Sequence, residues 1–158
     1  MILATAISVR KILAPTDASA SSEKALAYAI HLAKLENAEL SIVHVIDEIK
    51  MGGAIGLQAK YGNVKLIEGY NRARKEWALQ WIKPFEEAAI KEQVKTNIEI
   101  LYDTGKSEAG MIIDYAKEKN IDLIIMGTRG MSKFKRILVG SVASKVFEHA
   151  DCSVMITR

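Results

Sequence analysis

Short apolar runs alternate with stretches of helical periodicity along almost the whole chain, and that alternation leaves few folds open. Lys11-Ile12-Leu13-Ala14-Pro15 reads as a buried strand whose ladder pairing stops at Pro15. Ser19 or Ser21 can cap the helix that follows, in which Leu26, Ala29, Ile30 and Ala33 share one face. The run 39–46 is a second strand rich in β-branched residues, and 97–102, 122–126 and 153–157 supply three more. Helical patterns over roughly 64–94, 107–119 and 140–149 precede them. Strands alternating with helices mean βαβ units and a mainly parallel sheet. Right-handed crossovers then restrict the α/β topology to a doubly wound sandwich. With 158 residues and no repeat or linker, the chain reads as a single domain, 1–158. A chain of that size buries roughly two-thirds of its unfolded surface, so its core needs no staples.

Two segments interrupt the alternation. Lys50-Met51-Gly52-Gly53-Ala54-Ile55-Gly56 is a glycine-rich connection, read evenly as a mobile flap or as a loop with no role. Pro84 falls inside the long helical pattern and is expected to kink or divide it. Trp77 and Trp81 share a face of that pattern and read as packing anchors, because base stacking needs a basic groove beside the rings.

Composition excludes several functions. The net charge of +3, from 22 basic against 19 acidic residues, is too mild to argue for nucleic acid. No apolar stretch is long enough to span a bilayer, and residues 1–9 lack the early positive charge of a signal peptide. Cys152 is the single cysteine and cannot form an internal disulfide, which suits a reducing cytoplasm. His31, His44 and His149 have no ligand-like spacing, and a lone strand histidine such as His44 is read as a satisfied core residue.

The chemistry is expected around Gly127-Thr128-Arg129-Gly130, which begins where the run Leu123-Ile124-Ile125-Met126 stops. Nine residues later comes Gly140-Ser141-Val142, at a helix start. Glycine permits φ > 0 and puts no Cβ between main-chain amides and a ligand. The free N–H groups and dipole at a helix head favour phosphate oxygens, and Ser141 adds a hydroxyl. In open α/β sheets, ligands bind beyond the carboxyl ends of the strands where the order reverses. If the order is 3-2-1-4-5, that point brings Thr16, Asp17, Ala18 and Ser19 beside the glycine turn. Asp17 there is suited to a ribose hydroxyl, an adenine amine or a hydrated Mg²⁺.

Ile12-Leu13-Ala14-Pro15-Thr16-Asp17-Ala18-Ser19, Val43-His44-Val45-Ile46-Asp47 and Ile124 to Gly130 make the chain similar to the universal stress proteins over nearly its whole length. The spacing G-x-x-G-x9-G-S resembles the ATP-binding branch of that family, and every motif glycine and the serine are present. The resemblance implies a Rossmann-like sheet of five parallel strands in the order 3-2-1-4-5. It also implies a cytoplasmic stress-response or regulatory protein that binds ATP or AMP, with Mg²⁺ or Mn²⁺ as an accompanying ion. Carried over by position, Asp17 and the backbone of Val45 would lie near the adenosine. Gly127, Gly130, Gly140, Ser141 and Val142 would lie along the ribose and phosphates, with Pro15, Thr16, Met126 and Arg129 completing the set. The family also implies a homodimer through the closing strand 153–157, whose sequence carries no edge-blunting device.

Two rival readings stay open here. A response-regulator receiver would use Asp17, a phosphoacceptor Asp103 and Thr128, but only one acidic residue follows the first strand and no lysine follows the last. An enzyme acting on ATP would need a phosphate-binding lysine, and no G-x-x-x-x-G-K-[ST] occurs. Lys133, Lys135 and Arg136 lie in the gap between the glycines, where a solvated loop is the preferred reading. A binding module, with at most slow hydrolysis, is therefore expected.

Overall fold

The computed structural model describes residues 8–46, 61–62, 64–102, 105–128 and 139–158. Strand β1 (Lys11–Pro15) is followed by helix α1 (Ala20–Glu36), strand β2 (Glu39–Ile46) and the long helix α2 (Val64–Lys91). Strand β3 (Thr96–Tyr102), helix α3 (Glu108–Lys119), strand β4 (Leu123–Gly127), helix α4 (Ser141–His149) and strand β5 (Ser153–Thr157) complete the chain. All pairings are parallel and the sheet runs β3-β2-β1-β4-β5, as expected.

The helix boundaries follow local chemistry. Of the two candidate serines it is Ser19 that caps α1: Ser22 N–H donates to Ser19 Oγ at 3.3 Å. Ser107 caps α3 in the same way, receiving Gly110 N–H at 3.2 Å. Asn37 and Asn120 end these helices at φ 53° and 54°, a left-handed turn that asparagine tolerates. The long helix stops at Lys91, short of the expected 94, because Gln93 turns to φ 62° and sends Val94 into the core.

Pro84 does not divide α2, which continues as one 28-residue helix. Ala78, Ile82 and Ala89 are fully buried on either side of it. Gln80, whose carbonyl loses its donor, and Pro84 itself are both exposed, so water can replace the missing bond.

Side-chain alternation along the strands divides the core in two. Ile12, Ala14, Leu40, Ile42 and Ile125 pack against α1 and α2. Leu13, Val43, Val45, Ile124 and Met126 pack on the opposite face, against α3 and α4. Each fully buried Ile or Leu contributes about 1.5–3 kcal/mol, so a one-residue slip of any central strand would be costly. Both β2 and β4 flank β1, so the connections change direction between β1 and β4. The carboxyl ends of those two strands form the switch point.

That order also removes the receiver reading, since a receiver sheet is wound 2-1-3-4-5. Here β3 is an edge strand separated from β1 by β2, so the ends of β1 and β3 lie roughly 10 Å apart. Asp103 itself lies outside the described residues.

Candidate functional site

On the β1 side the chain leaves the sheet in a tightly tied turn. Thr16 N–H donates to Val43 O at 2.9 Å, carrying the pairing one residue past Pro15. Thr16 O receives His44 Nδ1 at 2.8 Å. The Thr16 side chain is buried, and its Oγ1 has no hydrogen-bond partner among the described residues. Leaving a buried hydroxyl so costs about 1–3 kcal/mol, a cost a ligand oxygen or amine could offset. Asp17, half-buried, accepts the Ser19 amide on Oδ1 at 3.1 Å. Between them Ala18 sits at φ 66°, a left-handed conformation that costs a non-glycine residue about 1 kcal/mol. Such strain persists only where the surroundings over-determine the backbone.

The β4 side is built differently. A Cβ added at Gly127 would lie 2.6 Å from Ser21 Oγ and 2.7 and 2.8 Å from the Ser21 carbonyl carbon and oxygen. Only glycine lets the end of β4 lie against the first turn of α1. Thr128 N–H then donates to Thr157 O at 2.8 Å, and Gly140 N–H donates to Thr128 O at 2.6 Å. The start of α4 is thereby pinned to the end of β4. Gly140 is the N-cap of α4, at φ −68° and ψ 159°, and provides no side-chain hydrogen bond. Ser144 N–H bonds back to Gly140 O at 2.9 Å, while the amides of Ser141, Val142 and Ala143 precede the first intrahelical partner. These donors and the helix dipole lie at the carboxyl end of β4, the strand that pairs with β1.

The expected reason for the motif glycines therefore changes. Neither Gly127 nor Gly140 uses a positive φ; among the described glycines only Gly62 and Gly105 do. Gly127 is needed for close packing, and Gly140 leaves a helix head without a side-chain cap.

Thr16, Asp17, Gly127, Gly140 and Ser141 thus meet at one edge. Pro15 is buried as the last residue of β1. The side chains of Val45, Met126 and Val142 belong to the core on the α3 and α4 face, so any part they play at the edge falls to their backbone. Arg129 and Gly130 lie outside the described residues, as do Lys133, Lys135, Arg136 and the stretch Lys50 to Gly56. Among the described residues no three of His, Cys, Asp and Glu cluster as metal ligands would, and no helix is long and apolar enough to cross a membrane.

His44 departs from its reading as a satisfied core histidine. It is 4% exposed and its Nδ1 is bonded, but its Nε2 has no partner among the described residues. Trp77 and Trp81 surround the imidazole, with ring centroids 6.0 and 6.4 Å away. Burial pushes its pKa below the ordinary 6.5 and the nearby Arg74 charge adds to that; the Thr16 bond and Asp17 oppose it. The available signal was its place two residues after Ile42, on the face that α2 covers with a tryptophan pair at i and i+4.

A cleft of about 470 Å³ lies at the opposite, amino-terminal end of the sheet, lined by Arg10, Lys34, Glu39, Glu92 and Lys95 among others. Its charges pair with one another, Lys34 with Glu92 and Lys95 with Glu39, so it presents a largely neutralised surface. The Lys34 hydrogen bond holds the Glu92 carboxyl below its usual pKa.

Comparison with known proteins bears on the family and the fold. Residues 8–158 match the model of the universal stress protein family. The chain is 36% identical over 148 residues to the universal stress protein YxiE of Bacillus subtilis, covering 94% of this chain and 98% of that one. Among solved structures, the universal stress protein UspA from Lactobacillus plantarum superposes with a TM-score of 0.81 at 27% identity, over 96% of this chain and 99% of that one. A universal stress protein from Archaeoglobus fulgidus, solved in complex with dAMP, shares the fold with a TM-score of 0.63 at 22% identity, over 96% and 99% of the two chains.

Proposed function

This chain belongs to the universal stress protein family, and on that premise we propose that it is a regulatory binding protein for ATP or AMP. The observation that carries the proposal is the uncapped head of α4, hydrogen-bonded through Gly140 to the end of β4 and set beside the β1 turn. Phosphate oxygens would accept from the amides of Ser141 and Val142 and from the Ser141 hydroxyl, with Gly127, Arg129 and Gly130 along the ribose and phosphates. Adenosine would sit over the β1 turn and the end of β2. There Asp17 would accept from a ribose hydroxyl or the adenine amine, Thr16 would supply its buried hydroxyl, and the backbone of Pro15, Val45 and Met126 would form the floor. A Mg²⁺ or Mn²⁺ ion would accompany the phosphates through water held by Asp17. The Archaeoglobus protein, at 22% identity, supports the fold; the ligand reading rests on the edge itself.

The site offers donors for a phosphate, and the sequence has no G-x-x-x-x-G-K-[ST] to supply a phosphate-binding lysine, so it would hold a nucleotide rather than act on it. Turnover of ATP should fall well below the roughly 1–1,000 per second of typical enzymes. The exposed edge of β5, paired on one side to β4, would join a second copy as a homodimer, and the protein would work in the cytoplasm. Mass spectrometry of the small molecule released on denaturing the purified protein, followed by calorimetry with ATP and AMP, tests the ligand. Adenine nucleotide at micromolar or tighter affinity is expected, and no binding of either would overturn the proposal. Light scattering on the eluted peak tests the dimer, and a mass near the 17.4 kDa of one chain would refute it.

A further inference from the structure

We infer that His44 is a positioning residue for the nucleotide site, acting through the Thr16 carbonyl to orient the turn that carries Asp17. This rests on the nucleotide reading above and assigns the part of the molecule that shapes its β1 wall. Thr16 O can only accept, so the 2.8 Å contact requires the proton on Nδ1 of the imidazole. Nε2 then carries the lone pair, and it is the atom with no partner among the described residues. Burial and the Arg74 charge favour this neutral form against the opposing pull of the Thr16 bond and Asp17, and the Nδ1 donor persists at neutral pH.

The bond matters because the peptide unit is planar and trans. Holding Thr16 O toward His44 points the Asp17 amide the opposite way, away from the face that α2 covers. Thr16 is also held through its own N–H to Val43 O, so both backbone groups on the sheet side of the turn are fixed by β2. On the helix side the Asp17 carboxylate receives Ser19 N–H, and Ser19 caps α1. Ala18, at φ 66°, is the residue between these two anchors that absorbs the turn. Releasing the Thr16 carbonyl would leave a buried acceptor without a donor, and rotation of the Thr16–Asp17 peptide plane would relieve it. The Asp17 carboxylate would then no longer be presented at the edge beside α4.

Asparagine places its Nδ2 where Nδ1 of the imidazole lies, whereas leucine has similar bulk and no donor. Calorimetry with ATP should therefore show His44→Leu weakened about tenfold, and His44→Asn within about threefold of wild type. Amide chemical shifts of Asp17, Ala18 and Ser19 without ligand should move in His44→Leu and return in His44→Asn. Wild-type affinity in His44→Leu, or an equal loss in both variants, would overturn the positioning role. Should the wild type bind no adenine nucleotide, the functional reading fails, and the unliganded amide shifts still decide whether His44 orients the turn. Should His44→Leu not fold, long-range nitrogen NMR of the wild-type imidazole decides: a proton on Nδ1 supports the inference, and the Nε2–H tautomer refutes it.

Discussion

Helices α1 and α4 both follow neighbouring central strands and begin at the carboxyl edge of the sheet, yet their first turns are finished differently. At α1 the Ser19 hydroxyl takes the Ser22 amide and the Asp17 carboxylate takes that of Ser19, so side chains of the same segment satisfy two of the donors there. At α4 the cap is Gly140, with no side chain to do the same. The electrostatics of two helix heads is alike. On the proposed reading one is a wall and the other a receptor because of a single side chain, and the wall must be rigid for the receptor to have a fixed partner across the edge.

The largest effect should come from the glycine that joins the two. Gly127→Val forces a branched side chain into the Ser21 backbone and should destabilise the fold by about 3 kcal/mol or prevent folding, read by chemical denaturation. A loss under about 1 kcal/mol would mean that α1 and β4 can separate, and that the edge is less rigid than its geometry indicates.

Giving α4 the cap that α1 already has should abolish the contrast directly. Gly140→Asp supplies an acceptor and a negative charge at the helix head, leaving stability unchanged or raised by a few tenths of a kcal/mol. ATP affinity should fall at least about thirtyfold, roughly 2 kcal/mol, measured by calorimetry. Retained affinity would show that phosphate does not use this helix head.

Removing the cap from α1 is the converse. Ser19→Ala should cost about 1 kcal/mol in thermal or denaturant unfolding while changing ATP affinity by less than about threefold. A large affinity loss with intact stability would make Ser19 a ligand contact rather than a cap.

The smallest effect is the pH response of the wall. His44 has a folded-state pKa below the ordinary 6.5, so the unfolded chain binds the proton more readily. Its contribution to stability is complete above pH 6.5 and is lost as the pH falls from there through the folded-state value. Denaturation midpoints should decline over that window in wild type, and the His44 component of the decline should vanish in His44→Asn. Identical profiles would place the imidazole's proton affinity at its unfolded value.

Much of the fold was legible in the chain itself, and the reason is locality. The strand at Lys11–Pro15, the face of Leu26, Ala29, Ile30 and Ala33, and the β-branched run at Glu39–Ile46 are set by residues close in sequence. Parallel connectivity and the order 3-2-1-4-5 followed from that alternation together with the family resemblance. They were enough to place the residues after β1 beside the end of β4. The motif spacing marked where the edge would be.

What remained was decided by groups distant in sequence. The choice of Ser19 over Ser21 as cap follows from where the turn after β1 leaves the sheet, and Ser21 instead lies against Gly127, more than a hundred residues away. The need for glycine at 127 is a steric fact about two elements in contact, invisible to any local preference. Pro84 passes through α2 because the residues around it bury on one side while its lost bond faces water. His44 reads as an ordinary core position in its own strand. Only the packing of α2 over β2 and the turn after β1 gives one of its nitrogens a carbonyl and leaves the other without a partner among the described residues, since hydrogen-bond satisfaction in a core is set by what the tertiary fold brings alongside.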